Sequence, residues 1–336
     1  MIRAEGVRKT FAGRGGFVGR APVHALRGVD LEIPNRGSVA LIGESGCGKT
    51  TLGRILAGYE RLDGGRIWHD DAEITALPAR QREEHLRKIQ LVQQDPYSAL
   101  NPARTVGDQL HDPLGLVARR DGRTADWVVK RARELLELVG LDADAQYKYP
   151  HQLSGGQRQR VVIARALTVG PEVLVADEAV SMIDVSLRLG ILAVLRRLRT
   201  DLGLAILFIT HDVAAARYVG QDTVMYVIYR GEVVESGMAD TVIESPAHPY
   251  TQALLGALPV LRGLERPGDE RYVAPVADFA RQSDDGCLFH QRCPFAVDRC
   301  RQERPELAAL GGPDHVTACF LPQVRRVAPV PVDQDN

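Results

Sequence analysis

Gly43-Glu44-Ser45-Gly46-Cys47-Gly48-Lys49-Thr50 has the form G-x-x-x-x-G-K-T. The run before it, Ser38-Val39-Ala40-Leu41-Ile42, reads as a buried strand. The run after it, Thr51-Leu52-Gly53-Arg54-Ile55-Leu56-Ala57, places Leu52, Ile55 and Leu56 on one helical face. Strand, glycine loop and helix in that order make the pattern a phosphate site, where an isolated match would be a glycine-rich turn. Gly43, Gly46 and Gly48 let the backbone curl so that successive N–H groups point at an anion. The helix behind adds unpaired donors and a positive dipole end. Lys49 can reach β- and γ-phosphates, and Thr50 offers a hydroxyl to Mg²⁺. The nucleotide-binding candidates here are Gly43, Glu44, Ser45, Gly46, Cys47, Gly48, Lys49, Thr50 and Thr51.

Outward from the loop, the chain alternates strands and helices, which argues a mostly parallel sheet covered on both faces. Upstream, Val7 to Phe11 and Val23 to Ile33 read as strands around a glycine-rich tip at Gly13, Gly15 and Gly16. Phe11, at a strand end, either packs there or stacks on a base. Downstream, Arg66-Ile67-Trp68 and Ile89 to Val92 are strands, the second running into Gln93-Gln94-Asp95-Pro96. Residues 96 to 168 are helical in character, with Val128, Ala132, Leu135 and Leu138 on one face and Gly140 as a stop. The β pattern resumes at Val173 to Glu178 and at Leu204 to Ile209, followed by a strand pair turning at Arg230-Gly231. From about residue 245, prolines and turn signals suggest a small separate module, and residues 328 to 336 are expected to fray.

Bulk properties narrow the field. The 336 residues suffice for about two domains. A net charge of −1 offers no basic field for nucleic acid and no polybasic membrane anchor. No apolar run is long enough to span a bilayer, and the first residues lack the core of a signal peptide, so the expected compartment is cytosolic. Of five cysteines, Cys47 lies in the phosphate loop and is no candidate ligand. Cys287, Cys293, Cys300 and Cys319 crowd the tail with spacing C-x₅-C-x₆-C-x₁₈-C. In a reducing compartment such a set suits metal rather than disulfides, and thiolates suit zinc or an iron–sulfur cluster. Unligated buried thiols are the alternative. Isolated histidines at 248, 290 and 315 read as structural.

Two further stretches complete a nucleotide machine. Val173-Leu174-Val175-Ala176-Asp177-Glu178 ends in two acids where α/β sheets bind ligands. Asp177 can hold Mg²⁺ and Glu178 can polarise water. Leu153-Ser154-Gly155-Gly156-Gln157 opens a helix and is a second anion cradle, or a serine-capped turn. The simplest use of a second cradle is a phosphate held by another subunit.

On these residues the chain resembles the ATP-binding subunits of ABC transporters. Gly43–Thr50 is similar to Walker A, Leu153–Gln157 to the family signature and Val173–Glu178 to Walker B. Gln94, His211 and Phe11 fall at the family's Q-loop glutamine, switch histidine and adenine-stacking aromatic. Gln94 to Pro102, Ser245 to Leu255 and the tail cysteines resemble the oligopeptide/dipeptide importer branch. The resemblance implies a P-loop NTPase (RecA-like) α/β core with an antiparallel β subdomain, a helical insertion and a small cysteine-containing C-terminal module. The expected divisions are an ATPase domain over 1–244, its helical part at about 96–168, and the module over 245–336.

The resemblance also implies roles. ATP would lie between one subunit's loop and the other's Ser154, Gly155, Gly156 and Gln157. Glu178, His211 and Gln94 would be catalytic, with Mg²⁺ held through Thr50, Gln94 and Asp177. The four tail cysteines would hold a 4Fe–4S cluster, as in relatives of that branch. Implied partners are a second ATPase subunit, identical or related, two membrane permeases and an extracytoplasmic substrate-binding protein. The location would be the cytoplasmic face of the membrane, and the cargo peptides or a related solute. Ala179 and the pair Met182-Ile183 depart from the family pattern, which puts coupling between sites in question. The competing reading is a soluble ABC ATPase of DNA repair or translation. Those carry a coiled-coil insertion or tandem ATPase halves, and neither is present here.

Overall fold

The computed structural model describes residues 1–12, 22–220, 222–257, 283–311 and 314–322. The glycine-rich tip at 13–16 and the last residues 328–336 lie outside these. Twelve strands form two sheets among the described residues. The smaller is antiparallel, order β2-β1-β4-β5, from β1 (Ile2–Phe11), β2 (Val23–Ile33), β4 (Gly64–His69) and β5 (Ala72–Glu73). The larger has order β11-β12-β10-β9-β3-β8-β7-β6. Its parallel part is β3 (Ser38–Ile42), β6 (Ile89–Val92), β7 (Val173–Asp177), β8 (Ala205–Thr210) and β9 (Val224–Tyr229). Three antiparallel strands extend it, β10 (Glu232–Met238), β11 (Ala308–Ala309) and β12 (His315–Thr317).

The parallel strands are short apolar runs because both faces are covered. Side chains alternate between two cores. Val39, Leu41, Val175, Leu207 and Ile209 face one that includes Ile2, Val7 and Leu31 of the small sheet and Leu52 and Leu56 of α1 (Lys49–Leu56). Ala40, Ile42, Leu174, Ala176, Ile206 and Phe208 face the other. The second core continues into the helical region formed by α3 (Pro96–Ala99), α4 (Val106–Asp121), α5 (Ala125–Leu138) and α6 (Gly155–Leu167). Helix α2 (Ala79–Leu86) buries no residue and was not anticipated from the periodicity. Helix α7 (Val185–Leu202) ends on Gly203, whose φ of 65° terminates it. Helix α8 is Val213–Val219.

The tail beyond α9 (Ala239–Glu244) packs into the same body. Helix α10 (Pro249–Gly256) buries Tyr250 fully, and Leu288 and Phe289 join the second core. Strand β12 pairs with β10, and α11 (Asp298–Gln302) buries Cys300. Glu235 of β10, fully buried, accepts from the N–H groups of Ala247 (2.8 Å) and His248 (2.9 Å) and from His315 Nε2 (2.8 Å). Among the described residues, no helix is long and apolar enough to cross a membrane.

Candidate functional site

Four adjacent parallel strands deliver their carboxyl ends to one edge of the large sheet. β3 runs into the phosphate loop, β6 towards Gln94, β7 into Asp177 and Glu178, and β8 into His211. Register fixes the convergence. Ile42 lies beside Thr210, Asp177 beside Ile209, and Ala176 beside Val92. Ligands of open α/β sheets bind at this edge because loops there are free of the ladder.

The loop is held tightly from behind. A Cβ on Gly43 would lie 2.3 Å from the carbonyl oxygen of Ile228. One on Gly48, whose φ is 109°, would lie 2.3 Å from that of Ala25. Glycine is required at both positions. Lys49 is buried, and its Nζ donates to the carbonyl oxygens of Gly43 (2.7 Å) and Glu44 (2.8 Å). Burial pushes the Cys47 thiol up, against the opposing pull of Lys49.

Thr50 Oγ1 donates to Asp177 Oδ1 at 3.0 Å. Burial raises the Asp177 carboxyl above its usual range, the Thr50 hydrogen bond opposes it, and Glu178 adds to it. A hydroxyl and a desolvated carboxylate side by side are hard oxygen donors, which is the chemistry Mg²⁺ requires. Glu178 follows with φ 47°, a left-handed backbone that costs a non-glycine residue roughly 1–3 kcal/mol. Its N–H donates to Ile209 O at 2.9 Å. Gln94 Nε2 donates to Glu178 Oε2 at 2.7 Å, and His211 Nδ1 lies 3.6 Å from Glu178 Oε1. The three expected catalytic side chains therefore meet on one carboxylate.

Ser154, Gly155, Gly156 and Gln157 stand apart from that edge. Ser154 caps α6. Its Oγ accepts from Gln157 N–H (3.3 Å), and Gln157 Oε1 accepts from Ser154 N–H (3.0 Å). Ser154 and Gln157 are exposed, and among the described residues their side-chain hydrogen bonds are to each other's backbone rather than to the chain's own phosphate loop. Phe11 also lies apart. It pairs with Val23, is exposed, and has Lys9 Nζ 5.2 Å from its ring centroid. Ala179 and Ile183 are buried and Met182 is exposed, so the departures from the family pattern are accommodated as two packed apolar residues and one surface residue.

Cys287, Cys293, Cys300 and Cys319 line one small cavity, with Phe289, Phe295 and Phe320 among its walls. Burial pushes the Cys287 and Cys293 thiols up to about 11. Among the described residues, the group of three or more potential ligand atoms all within 4.8 Å of one another is His69, Asp70 and Glu172. Those carboxylates are already bound to the N-terminal ammonium and to Lys88. His248 Nδ1 accepts from Tyr250 N–H, His290 Nδ1 contacts the Cys287 carbonyl oxygen, and His315 pairs with Glu235.

With the geometry in hand, comparison with known proteins is decisive. The "Di/tripeptide transport ATP-binding protein DppF" of Pseudomonas aeruginosa is 39% identical over 300 residues, covering 88% of this chain and 90% of that protein. This chain belongs to the ABC transporter ATP-binding family. Residues 26–181 match the ABC transporter family model. Residues 234–300 match that of the oligopeptide/dipeptide transporter C-terminal region. The "Dipeptide transport ATP-binding protein DppF" of Escherichia coli is 37% identical, covering 96% of this chain and 91% of that one. Among solved structures, a dimeric post-hydrolysis state of the ATP-binding cassette MJ0796 bound to ADP and Pi matches with TM-score 0.62 and 29% identity. It covers 71% of this chain and 99% of that one. The fold is that of ABC ATPase cassettes, and the chain is an ABC ATPase.

Sequence reasoning missed how this ABC ATPase ties its tail to its phosphate loop. Arg292, nearly buried, donates through both terminal nitrogens to Glu44, at 2.9 and 2.8 Å. Glu44 N–H donates to Tyr250 Oη at 2.8 Å. The position of Arg292 beside Cys293 was the one available signal, and nothing in the spacing paired it with Glu44.

Proposed function

We propose that the chain is the ATP-hydrolysing subunit of an importer for di- or oligopeptides, or a related solute, acting through partner membrane subunits. The observation that carries this is the joining of two parts. A nucleotide site complete in Lys49, Thr50, Asp177, Glu178, Gln94 and His211 is packed against a tail similar to the C-terminal region of oligopeptide/dipeptide transporters. The relatives named above support the cargo class.

In this reading ATP sits on the loop Gly43–Thr51, with Lys49 leaving its carbonyl partners for the β- and γ-phosphates. Thr50, Asp177 and Gln94 would hold Mg²⁺, which neutralises developing charge on the phosphate oxygens. Gln94 must then turn from Glu178. That frees a carboxylate oxygen to orient water and take its proton as the bond to ADP breaks, with His211 beside it. Phosphoryl transfer asks mainly for positioning and charge neutralisation, and these residues supply both. Phe11 would stack on adenine. Ser154 and Gln157, exposed at a helix N-terminus, would close together with Gly155 and Gly156 on the nucleotide of a second ATPase subunit. Tyr97, exposed three residues after Gln94, is a contact point for a permease at the cytoplasmic face of the membrane. An extracytoplasmic binding protein would supply the solute.

The cysteine cavity fits a metal group by donor chemistry, since four thiols face one apolar space. The likeness of these cysteines to those of the oligopeptide/dipeptide branch supports a 4Fe–4S cluster, whose role would be structural or regulatory because ATP hydrolysis needs no electrons. Anaerobically purified protein should carry iron and sulfide, and stoichiometric zinc would overturn that assignment. Co-purification in detergent tests the transport reading. Two permeases retained with the ATPase support it, and ribosomes or DNA in their place would sink it.

A further inference from the structure

Among the described residues, three links run from the tail to the phosphate loop, two directly and one through a turn. The first is Arg292, whose two-pronged ion pair holds the Glu44 carboxylate. The second is Tyr250 of α10, whose hydroxyl takes the Glu44 N–H. The third runs through a turn. Asp284 pairs with Arg27 (2.8 Å) and Arg230 (2.7 Å), and Gly231 N–H donates to Cys47 O at 2.8 Å. Phe289 stands edge-on to both Tyr229 and Tyr250, with centroids 5.3 and 5.5 Å away, so the three elements share one packed aromatic cluster.

Arg292 is carried by a compact series of turns between two cysteines. His290 N–H bonds Cys287 O, Arg292 N–H bonds Phe289 O, and Cys293 N–H bonds His290 O. Cys287 and Cys293 bound this segment, and both face the cysteine cavity. The guanidinium thus projects from the wall of that cavity to the first variable residue of the phosphate loop. A rigid, bidentate pair of this kind fixes position better than a single flexible contact.

We propose that the cysteine-rich tail is a latch on the phosphate loop, with Arg292 and Tyr250 as positioning residues that set nucleotide affinity, and that the state of the cysteine cavity is felt at the loop through Arg292. The proposal deepens the ATPase reading and rests on it. A loop held in its binding shape loses less freedom when nucleotide arrives, so releasing it weakens binding without removing any phosphate ligand.

The test is titration of the full-length, anaerobically purified chain with a fluorescent ATP analogue and Mg²⁺, alongside steady-state hydrolysis. Arg292→Ala is expected to raise Kd about tenfold and KM in step, with kcat within about twofold. Glu44→Gln, a change in the binding loop itself, should also raise Kd, and the double variant should bind no more weakly than Glu44→Gln alone, since both remove one interaction. Should Arg292→Ala fail to fold, Glu44→Gln carries the measurement. The paired substitution Cys287→Ser with Cys293→Ser should raise Kd severalfold in the native background and add nothing to Arg292→Ala. Unchanged affinity in Arg292→Ala and Glu44→Gln, or effects that multiply in the double variant, would overturn the latch. A cysteine effect of equal size in both backgrounds would overturn transmission through Arg292. Lys49→Ala serves as the control, because nucleotide retained there would defeat the site itself, whereas its loss beside an unaffected Arg292→Ala would defeat the latch alone.

Discussion

Replacing Glu235 with alanine should loosen the tail by several kcal/mol. The carboxylate is wholly buried on β10 and has three donors, the N–H groups of Ala247 and His248 and the ring of His315. Alanine leaves both backbone donors in an apolar interior, at roughly 1–3 kcal/mol each. The loss is therefore about 2–6 kcal/mol before any cavity contribution, against a total stability of order 5–15 kcal/mol for a native protein. Glu235→Gln keeps one acceptor oxygen and should cost about 1–2 kcal/mol. Urea unfolding followed by far-ultraviolet circular dichroism gives the midpoint shift, and an unchanged slope shows that the folded state has kept its extent. Hydrogen exchange localises the effect, because the Ala247 and His248 amides should lose protection first. If Glu235→Ala loses less than about 1 kcal/mol with those amides still protected, the bonds assigned to Glu235 are not the ones holding the tail.

Glu178→Gln should retain ATP and lower hydrolysis at least about a hundredfold, measured as phosphate release, with full turnover refuting the base assignment. Gly48→Ala forces a Cβ towards the Ala25 carbonyl at positive φ, so thermal melting should show about 2 kcal/mol or more of destabilisation, with ATP affinity lost as well. His248 is neutral in the fold because burial lowers its pKa to about 4, whereas the unfolded imidazole titrates near its usual 6.5. The stability this contributes is whole above pH 6.5 and falls away as pH drops towards 4, by about 3 kcal/mol across the window. His248→Asn should flatten that slope, and an unchanged slope in stability against pH would refute the assignment.

Much of the nucleotide site was legible because its logic is local. A short apolar strand ending in glycines or acids announces both itself and the edge where its ligand binds, as β3 and β7 do. Gln94 and His211 were placed by family order, and the parallel register then brought them to Glu178. Non-local features were not legible. The left-handed backbone of Glu178 has no glycine to announce it. Glu235 sits in an ordinary strand, and only the return of the tail over β10 buries it. Arg292 and Glu44 are far apart along the chain, and their pairing depends on how α10 and the cysteine segment dock. Prolines and turn signals from about residue 245 suggested a small module, and nothing in them announced that β12 would pair with β10.

That pairing bears on which strand borders the large sheet. With β12 in place, the large sheet ends on β11, two exposed alanines, too short to template another strand. Remove the tail and the new border is β10, seven residues long, with its outward backbone groups unpaired. Truncating the chain after α9 would therefore trade an accessory segment for a sticky margin. Such a product should collect in aggregates even if its nucleotide residues are all present.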